Sequence, residues 1–221
     1  MYSGRNRERE IDNGFIYPIF KLVIQLLFYL NIVEMLKWTA AKTVGYLNRN
    51  FSETLISRKV RMAKNIAVDL FIVLKFIYIG FVWFFELNNN LILGVSIYLL
   101  IFNTYTYFYY HIWEEGSMKG EFQTVHRMRR RFISLLQSLL YMIFVYGYLY
   151  NVPFVEQFKL SSGESTFFSY LLFSLSKTFP FSYEGIKIVT EFGELIVFSQ
   201  ALMSFLFITI ILAQSLPKAN R

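Results

Sequence analysis

The sequence contains no cysteine and only two histidines among its 221 residues. The absence of cysteine excludes disulfides, a thiolate nucleophile and cysteine-ligated metal sites. His111 and His126 have no second ligand at metal-binding spacing, so we predict no metal and no cofactor. The sequence also lacks a nucleophile–base pair, a glycine-rich phosphate loop and a carboxylate pair within its apolar runs. We therefore do not expect an enzyme.

Charged residues are scarce as well. They make up 17% of the chain, whereas 55% of the residues are hydrophobic and 20% are aromatic. The 22 lysines and arginines outnumber the 15 acidic residues and form short clusters between long apolar runs. Such clusters are typical of cytoplasmic loops in membrane proteins and not of a nucleic-acid groove. We predict an all-α integral membrane protein that does not bind nucleic acid directly.

Four apolar runs reach the length of roughly 20 residues that a helix needs to cross a bilayer core about 30 Å thick. They are residues 66–85, 91–113, 132–152 and 193–216. Basic residues flank the start of the first and third runs and the end of the fourth. The positive-inside rule then places both termini in the cytoplasm. The richness in Phe, Tyr, Ile, Lys and Asn is typical of AT-rich prokaryotic genomes, so we expect a bacterial inner membrane.

A fifth apolar run, residues 15–36, is interrupted by Pro18, Lys21 and Glu34. We expect an interfacial helix here, with Lys37 and Trp38 at the headgroups. A fifth span is the alternative, although it would carry the N-terminal arginines across the membrane against the charge rule. Both interpretations stay open at this stage.

One lysine stands inside an apolar run. If residues 66–85 and 91–113 form a helical hairpin with its tip near Asn89, then Lys75 and Asn103 lie opposite each other at equal depth. Ionisable residues at membrane depth need a partner or a function. An ion- or voltage-sensing element is one interpretation. We favour the other, a hydrogen bond across the hairpin that stabilises it by about 1 kcal/mol.

The segment between the third and fourth spans is unlike an ordinary loop. The apolar run that begins at Phe167 continues for about eleven residues, roughly 16 Å of helix, and is too short to cross the membrane. Pro180 then ends any helix. We predict a re-entrant helix followed by an extended return, which is the architecture of a pore loop.

Residues 132–216 resemble the two-helix pore domain of tetrameric cation channels of the bacterial potassium-channel type. The matching pieces are the basic residues 129–131, the pore-helix-like FFSYLLFSLSKT and the inner-helix-like GELIVFSQALMSFLFITIILAQSL. Gly193 stands about where the family has a glycine that opens its inner helix. The resemblance covers roughly 85 of the 221 residues. It implies a homotetramer with a re-entrant pore helix.

The filter of that family, threonine-valine-glycine-tyrosine-glycine, is absent. The filter-like residues here are Lys177, Thr178, Phe179, Pro180, Phe181 and Ser182. A potassium filter needs glycines to turn its carbonyl groups inward, so we do not expect potassium selectivity. If Lys177 faces the pore, four lysines would repel cations and admit anions. Alternatively, Lys177 caps its own helix or pairs with a nearby glutamate.

Two further sets of residues complete the predicted module. The inner helix is predicted to line a cavity with Ser199, Gln200, Ser204 and Gln214. A basic cluster is predicted to contact a partner protein or anionic lipid, and it consists of Arg127, Arg129, Arg130 and Arg131. The predicted organisation is an N-terminal cytoplasmic or interfacial segment, a transmembrane hairpin, a basic cytoplasmic linker and a pore-domain-like module, with the bounds 1–65, 66–113, 114–131 and 132–221.

Two functions follow from this reading. The first is a homotetrameric channel-like protein with a degenerate pore that does not select potassium and that permeabilises the membrane when triggered. The second is a non-conducting membrane scaffold that docks a soluble cytoplasmic partner. Small multi-span proteins in bacterial phage-defence complexes of the Kiwa type are an example of the second.

Overall fold

The structure, a computed structural model, describes residues 14–49, 51–113, 125–161, 167–179 and 181–215. These residues are mostly helical, and a pair of short antiparallel strands, β1 and β2, is the exception to the predicted all-α fold. The α-helices in chain order are α1 (Ile16–Leu30), α2 (Ile32–Leu47), α3 (Glu53–Phe84), α4 (Asn90–Phe108), α5 (Val125–Asn151), α6 (Phe167–Thr178) and α7 (Glu191–Ser215). Strand β1 is Phe158–Leu160 and strand β2 is Ile186–Ile188.

Within the described residues, four helical stretches are long and apolar enough to cross a membrane. They are Glu53–Phe84, Asn90–Phe108, Phe132–Asn151 and Glu191–Ile211. Each overlaps one of the four apolar runs of the sequence, so the prediction of four candidate spans is confirmed. This arrangement is typical of a multi-pass membrane protein.

Two predicted boundaries fall inside helices. Helix α3 begins at Glu53, so the boundary placed between residues 65 and 66 lies within it. The chain forms two compact units, which divide between Phe71 and Ile72 and therefore also within α3. Helix α5 begins at Val125, so the basic cluster belongs to a helix and not to a linker. Lysine, arginine and glutamate are good helix formers, which allows a helix to continue past its apolar run.

The predicted N-terminal helix is broken at Asn31. This residue is buried, and its side-chain oxygen accepts a hydrogen bond of 3.0 Å from the backbone N–H of Val33. Asparagine is a strong N-cap, so a new helix, α2, begins there. Helices α1 and α2 differ in direction by 57°. Such a bent pair fits a broken span, a re-entrant segment or an interfacial pair.

Helices α3 and α4 form the predicted hairpin. The turn between them contains Glu86 with a φ of 50°, and the side chain of Asn89 caps α4 by accepting from Leu91 N–H at 3.0 Å. Near the turn, the hydroxyl of Tyr78 lies 3.1 Å from the carbonyl of Ile92, to which it donates. The Tyr78 hydroxyl, which also lies 3.2 Å from the hydroxyl of Ser96, joins the two helices near the turn.

Helix α5 is the centre of the C-terminal unit. In its apolar stretch 61% of the residues are buried, against at most 28% in the other candidate spans. It packs on α4, α6 and α7. The indole of Trp83 lies directly against Gly147 of α5, where an added Cβ would be 2.3 Å from the ring. Glycine is therefore required at this contact.

Candidate functional site

The chain before α6 and the chain after it run side by side. Strands β1 and β2 pair antiparallel, with Lys159 opposite Lys187. The pairing is extended at one end by a 2.9 Å bond from Ser161 N–H to the carbonyl of Gly185. The segment that contains α6 therefore leaves the end of α5 and returns to the start of α7 at the same place.

The first turn of α7 packs closely on this ribbon. A Cβ on Gly193 would lie 2.9 Å from Ile188 and 3.1 Å from the carbonyl oxygen of Gln157. The backbone N–H of Gly193 also donates to the hydroxyl of Thr190 at 3.1 Å, which caps the helix. The glycine noted in the sequence is thus a point of close approach between α7 and the ribbon.

Helix α6 is packed against α5 by polar and aromatic contacts. The hydroxyl of Ser174 donates to the carbonyl of Ile143 at 2.8 Å, and both groups are buried. The ring of Phe173 lies edge-on to Tyr150 and Phe158, with centroid distances of 5.1 and 5.8 Å. Twelve residues of helix are thereby held inside the unit at several points along their length.

The amide of Gln200 joins α5, α6 and α7. Its Nε2 group lies 2.8 Å from the carbonyl of Ser174, 2.9 Å from the hydroxyl of Ser174 and 2.9 Å from the hydroxyl of Thr178. Its Oε1 atom accepts a hydrogen bond of 2.5 Å from the hydroxyl of Tyr150. Gln200 is fully buried, and both ends of its amide are satisfied. We call Gln200, Ser174, Thr178 and Tyr150 the glutamine cluster.

The glutamine cluster sets the depth of the end of α6. Gln200 follows Glu191 by nine residues of helix, or about 13 Å at 1.5 Å per residue. The C-terminal end of α6, at Thr178, is bonded to this level of α7. The ribbon, by contrast, lies at the beginning of α7. Helix α6 therefore ends partway along the neighbouring span.

The filter-like residues are divided between buried and exposed positions. Thr178 is buried in the glutamine cluster, whereas Phe179, Phe181 and Ser182 are exposed. Pro180 lies outside the described residues. Lys177 is partly buried, and its Nζ is 4.9 Å from the centroid of the Phe173 ring in the same helix. It forms no ion pair with a carboxylate of the described residues, so the expected pairing with a nearby glutamate is not seen there.

The residues predicted to line a cavity are turned into the packed chain. Gln200 belongs to the glutamine cluster, and Ser204, 3% exposed, donates to the carbonyl of Gln200 at 2.8 Å. The hydroxyls of Ser199 and Tyr146 of α5 lie 2.9 Å apart. This corrects the prediction, because Ser199 and Gln200 bond to neighbouring helices and Ser204 bonds to the backbone of its own helix. The side chain of Gln214 lies outside the described residues.

The exposed face of α7 is apolar over most of its length. Large hydrophobic side chains cover it, namely Phe192, Leu195, Phe198, Leu202, Phe205 and Leu206. In a membrane such a face contacts lipid or another helix, since most of its exposed side chains are hydrocarbon. The sequence could not reveal this division, because α7 is apolar on nearly every side.

A second buried polar cluster joins α3, α4 and α5. The Nζ of Lys75 donates to Oδ1 of Asn103 at 2.5 Å, and the two side chains are 5% and 6% exposed. Asn103 Nδ2 donates to the carbonyl of Ser138 at 3.2 Å, and the Ser138 hydroxyl donates back to Oδ1 of Asn103. The Nζ of Lys75 also lies 4.5 Å from the ring centroid of Tyr141. We call these four residues the lysine cluster.

The structure thus brings together Lys75 and Asn103, the pair proposed from the hairpin geometry. Ser138 and Tyr141 were missed, because nothing in the sequence indicates which face of α5 meets the hairpin. No carboxylate of the described residues lies within ion-pair distance of Lys75, so the ammonium group depends on Asn103 and on the Tyr141 ring.

The basic cluster is described only in part. Arg129 and Arg130 are exposed near the start of α5. The side chains of Arg127 and Arg131 lie outside the described residues. These two exposed arginines place positive charge at this end of the helix.

No group of three or more metal-ligating side chains occurs among the residues that the structure describes. Comparison of the chain with protein-family models, with curated proteins and with solved structures gave no match.

Proposed function

We propose that this chain is the subunit of a homotetrameric, channel-like membrane protein whose pore does not select potassium. The observation that supports this proposal is the course of the α6 segment. The ribbon brings its two ends together, while the glutamine cluster holds the end of α6 about 13 Å along α7. A helix that enters a bilayer, stops partway and returns on the same side has this geometry.

In this proposal α6 is a re-entrant pore helix, α5 is the outer helix and α7 is the inner helix. The protein resides in the bacterial inner membrane, as its composition favours, and both termini lie in the cytoplasm, as the basic flanks of the spans indicate. The return after Thr178 contains no glycine before Gly185. This backbone is therefore unsuitable for forming a ring of inward-pointing carbonyl groups of the potassium-filter type.

Charge at the end of α6 supports an anion-tolerant pore. The C-terminal end of a helix carries partial negative charge, which favours a cation. Here Lys177 occupies that end and stacks on its own helix. Four copies around an axis would oppose cations and favour anions.

A second candidate is a non-conducting membrane scaffold that docks a soluble cytoplasmic partner, as in a bacterial phage-defence complex. Two observations favour it. Ser199, Gln200 and Ser204 are used inside the chain, and the exposed face of α7 is apolar. A pore lined by such a face excludes water. Arg129 and Arg130 would then contact an acidic surface of the partner.

Reconstitution into planar bilayers tests the first candidate against the second. We expect unitary currents from the tetramer, with reversal potentials that shift toward cations in Lys177→Ala. Lys187→Ala is the matched control, because Lys187 is an exposed lysine of the ribbon and not of α6. An equal shift in selectivity in both variants would contradict the placement of Lys177 in the pore. A correctly assembled tetramer that stays silent would replace the channel with the scaffold.

A further inference from the structure

The exposed face of α2 alternates aromatic and basic side chains. Trp38, Lys42 and Tyr46 lie one helical turn apart, and Arg49 follows just beyond the end of the helix. The Nζ of Lys42 is 3.9 Å from the Trp38 ring centroid, and the Arg49 guanidinium carbon is 5.8 Å from that of Tyr46. We call these four residues the α2 row.

The rings of the α2 row are unusually open to the surroundings. Trp38 is 60% exposed and Tyr46 is 74% exposed, so neither ring belongs to a core. Tryptophan and tyrosine in such positions are typical of the headgroup layer of a bilayer. A shallow groove next to the row is lined by Lys42, Thr43, Tyr46 and Leu47. It offers an ammonium group beside apolar surface, which matches a phospholipid phosphate beside its acyl chain.

The charge around the row is predominantly positive. Residues 32–65 contain seven lysines and arginines and two glutamates. Arg58, Lys59, Arg61 and Lys64 of this set are exposed on the first twelve residues of α3. Each basic side chain near an anionic bilayer surface contributes about 1 kcal/mol of attraction, or about fivefold in affinity.

Helix α3 keeps this basic segment close to the bilayer. It has 32 residues and is therefore about 48 Å long, more than a hydrocarbon core of about 30 Å requires. The first twelve residues of α3, which exceed this requirement, carry the basic residues. The Nζ of Lys59 donates to Oδ1 of Asn48 at 2.6 Å and lies 4.2 Å from the Phe51 ring centroid, which ties the end of α2 to the start of α3.

We propose that the α2 row binds the headgroup phosphates of anionic phospholipids at the membrane surface. The occupant is a phospholipid because exposed aromatic rings, a predominantly basic segment and a covalently attached span occur together. This binding does not require a pore. If no currents are recorded in bilayers, the lipid-binding proposal still stands. If the α2 row does not bind anionic lipid, the channel proposal still stands.

The test uses the full chain in nanodiscs that contain either brominated phosphatidylglycerol or brominated phosphatidylcholine at equal mole fraction. Bromine quenches nearby tryptophan fluorescence, and the difference between wild type and Trp38→Phe isolates the signal of Trp38. We expect stronger quenching by the anionic lipid, weakening as salt is raised. Lys42→Gln with Arg49→Gln should lower the preference for the anionic lipid by up to about 25-fold, at about fivefold per charge.

The matched control is Lys159→Gln with Lys187→Gln. It removes the same charge from two exposed lysines of the ribbon, and we expect it to keep the preference. Equal quenching of wild type by both lipids would overturn the proposal without reference to any variant. An equal loss of lipid preference in the control would show that the effect depends only on net charge, and this too would overturn the proposal. Absence of quenching in a folded protein would overturn the proposal and favour an acidic protein surface as the partner of the α2 row.

Discussion

The lysine cluster allows a quantitative test, the replacement of Asn103 by leucine. Asn103 accepts from Lys75 at 2.5 Å, accepts from the Ser138 hydroxyl and donates to the Ser138 carbonyl at 3.2 Å. Leucine removes all three bonds and leaves the buried ammonium group with the Tyr141 ring alone. Removing the hydrogen-bond acceptor of a buried ammonium group costs about 3 kcal/mol. For a chain of this length that corresponds to a fall in Tm of about 6–12 °C.

The partner substitution has a smaller expected cost. Lys75→Met removes the charge and one hydrogen bond, while Asn103 keeps its two bonds with Ser138. Interhelical hydrogen bonds in membranes contribute about 1 kcal/mol, so we expect a loss of that size. The double variant removes charge and acceptor together. It should be more stable than Asn103→Leu alone, with a coupling free energy of about 2 kcal/mol.

The assay is unfolding of the four proteins of this cycle in the same detergent, followed by helical circular dichroism. Thr104→Val is the matched control, because the Thr104 hydroxyl donates at 3.2 Å to Leu100 of its own helix and otherwise contacts only the weakly accepting sulfur of Met203, at 3.8 Å. We expect it to shift Tm little. A double variant as unstable as the sum of the two single variants would refute the reasoning. So would an Asn103→Leu protein as stable as wild type.

Three further predictions concern packing and the ribbon. Gly147→Ala should destabilise the protein by about 1–3 kcal/mol, since its Cβ would lie 2.3 Å from Trp83. Trp83→Leu in the same chain should restore part of the loss. A Gly147→Ala protein as stable as wild type would contradict the contact. Gln200→Leu should cost about 1–3 kcal/mol in thermal unfolding, because it removes the acceptor of the buried Tyr150 hydroxyl and the donor to Ser174 and Thr178, and an unchanged Tm would refute the glutamine cluster. Lys159→Glu should stabilise the ribbon by about 0.2–1 kcal/mol, since it replaces a like-charged pair with Lys187 by an opposite one; a lower Tm would contradict the register.

The parts of the fold that were predicted from the sequence depend on the length of the apolar runs and on the equal depths of residues on the two arms of a helical hairpin. Four apolar runs of sufficient length can only be spans or buried helices, and the structure contains four such helices. The contact between Lys75 and Asn103 was reached by counting outward from Asn89, because a tight helical hairpin fixes equal depths on its two arms. The limits of α6 followed from the short apolar run and from Pro180.

The orientation of α7 was not predictable in the same way. Gln200 and Ser204 lie on the same face as Ile196 and Phe207, and all four are buried. In a soluble helix a polar pair on one side indicates the solvent side. In an apolar span the same pair is satisfied by neighbouring helices, so polarity indicates the packed side. Only knowledge of Tyr150, Ser174 and Thr178 as partners distinguishes the two cases.

Helix ends were also beyond the reach of hydropathy. The basic residues before the first and third apolar runs continue the helices α3 and α5, because long charged side chains favour helix as much as apolar ones do. Asn31 acts in the opposite way, since its side chain ends one helix and caps the next inside an apolar run. Capping and propensity therefore decide these limits, and the apolar pattern does not.

The most direct measurement of the central claim is the mass of the protein in nanodiscs by native mass spectrometry. The proposed inner-helix role of α7 and the re-entrant course of α6 require four copies around one axis. We predict a single species at four times the chain mass of 26.3 kDa. A monomer or a dimer would contradict the pore-loop account, because neither can place four α6 segments around a common axis.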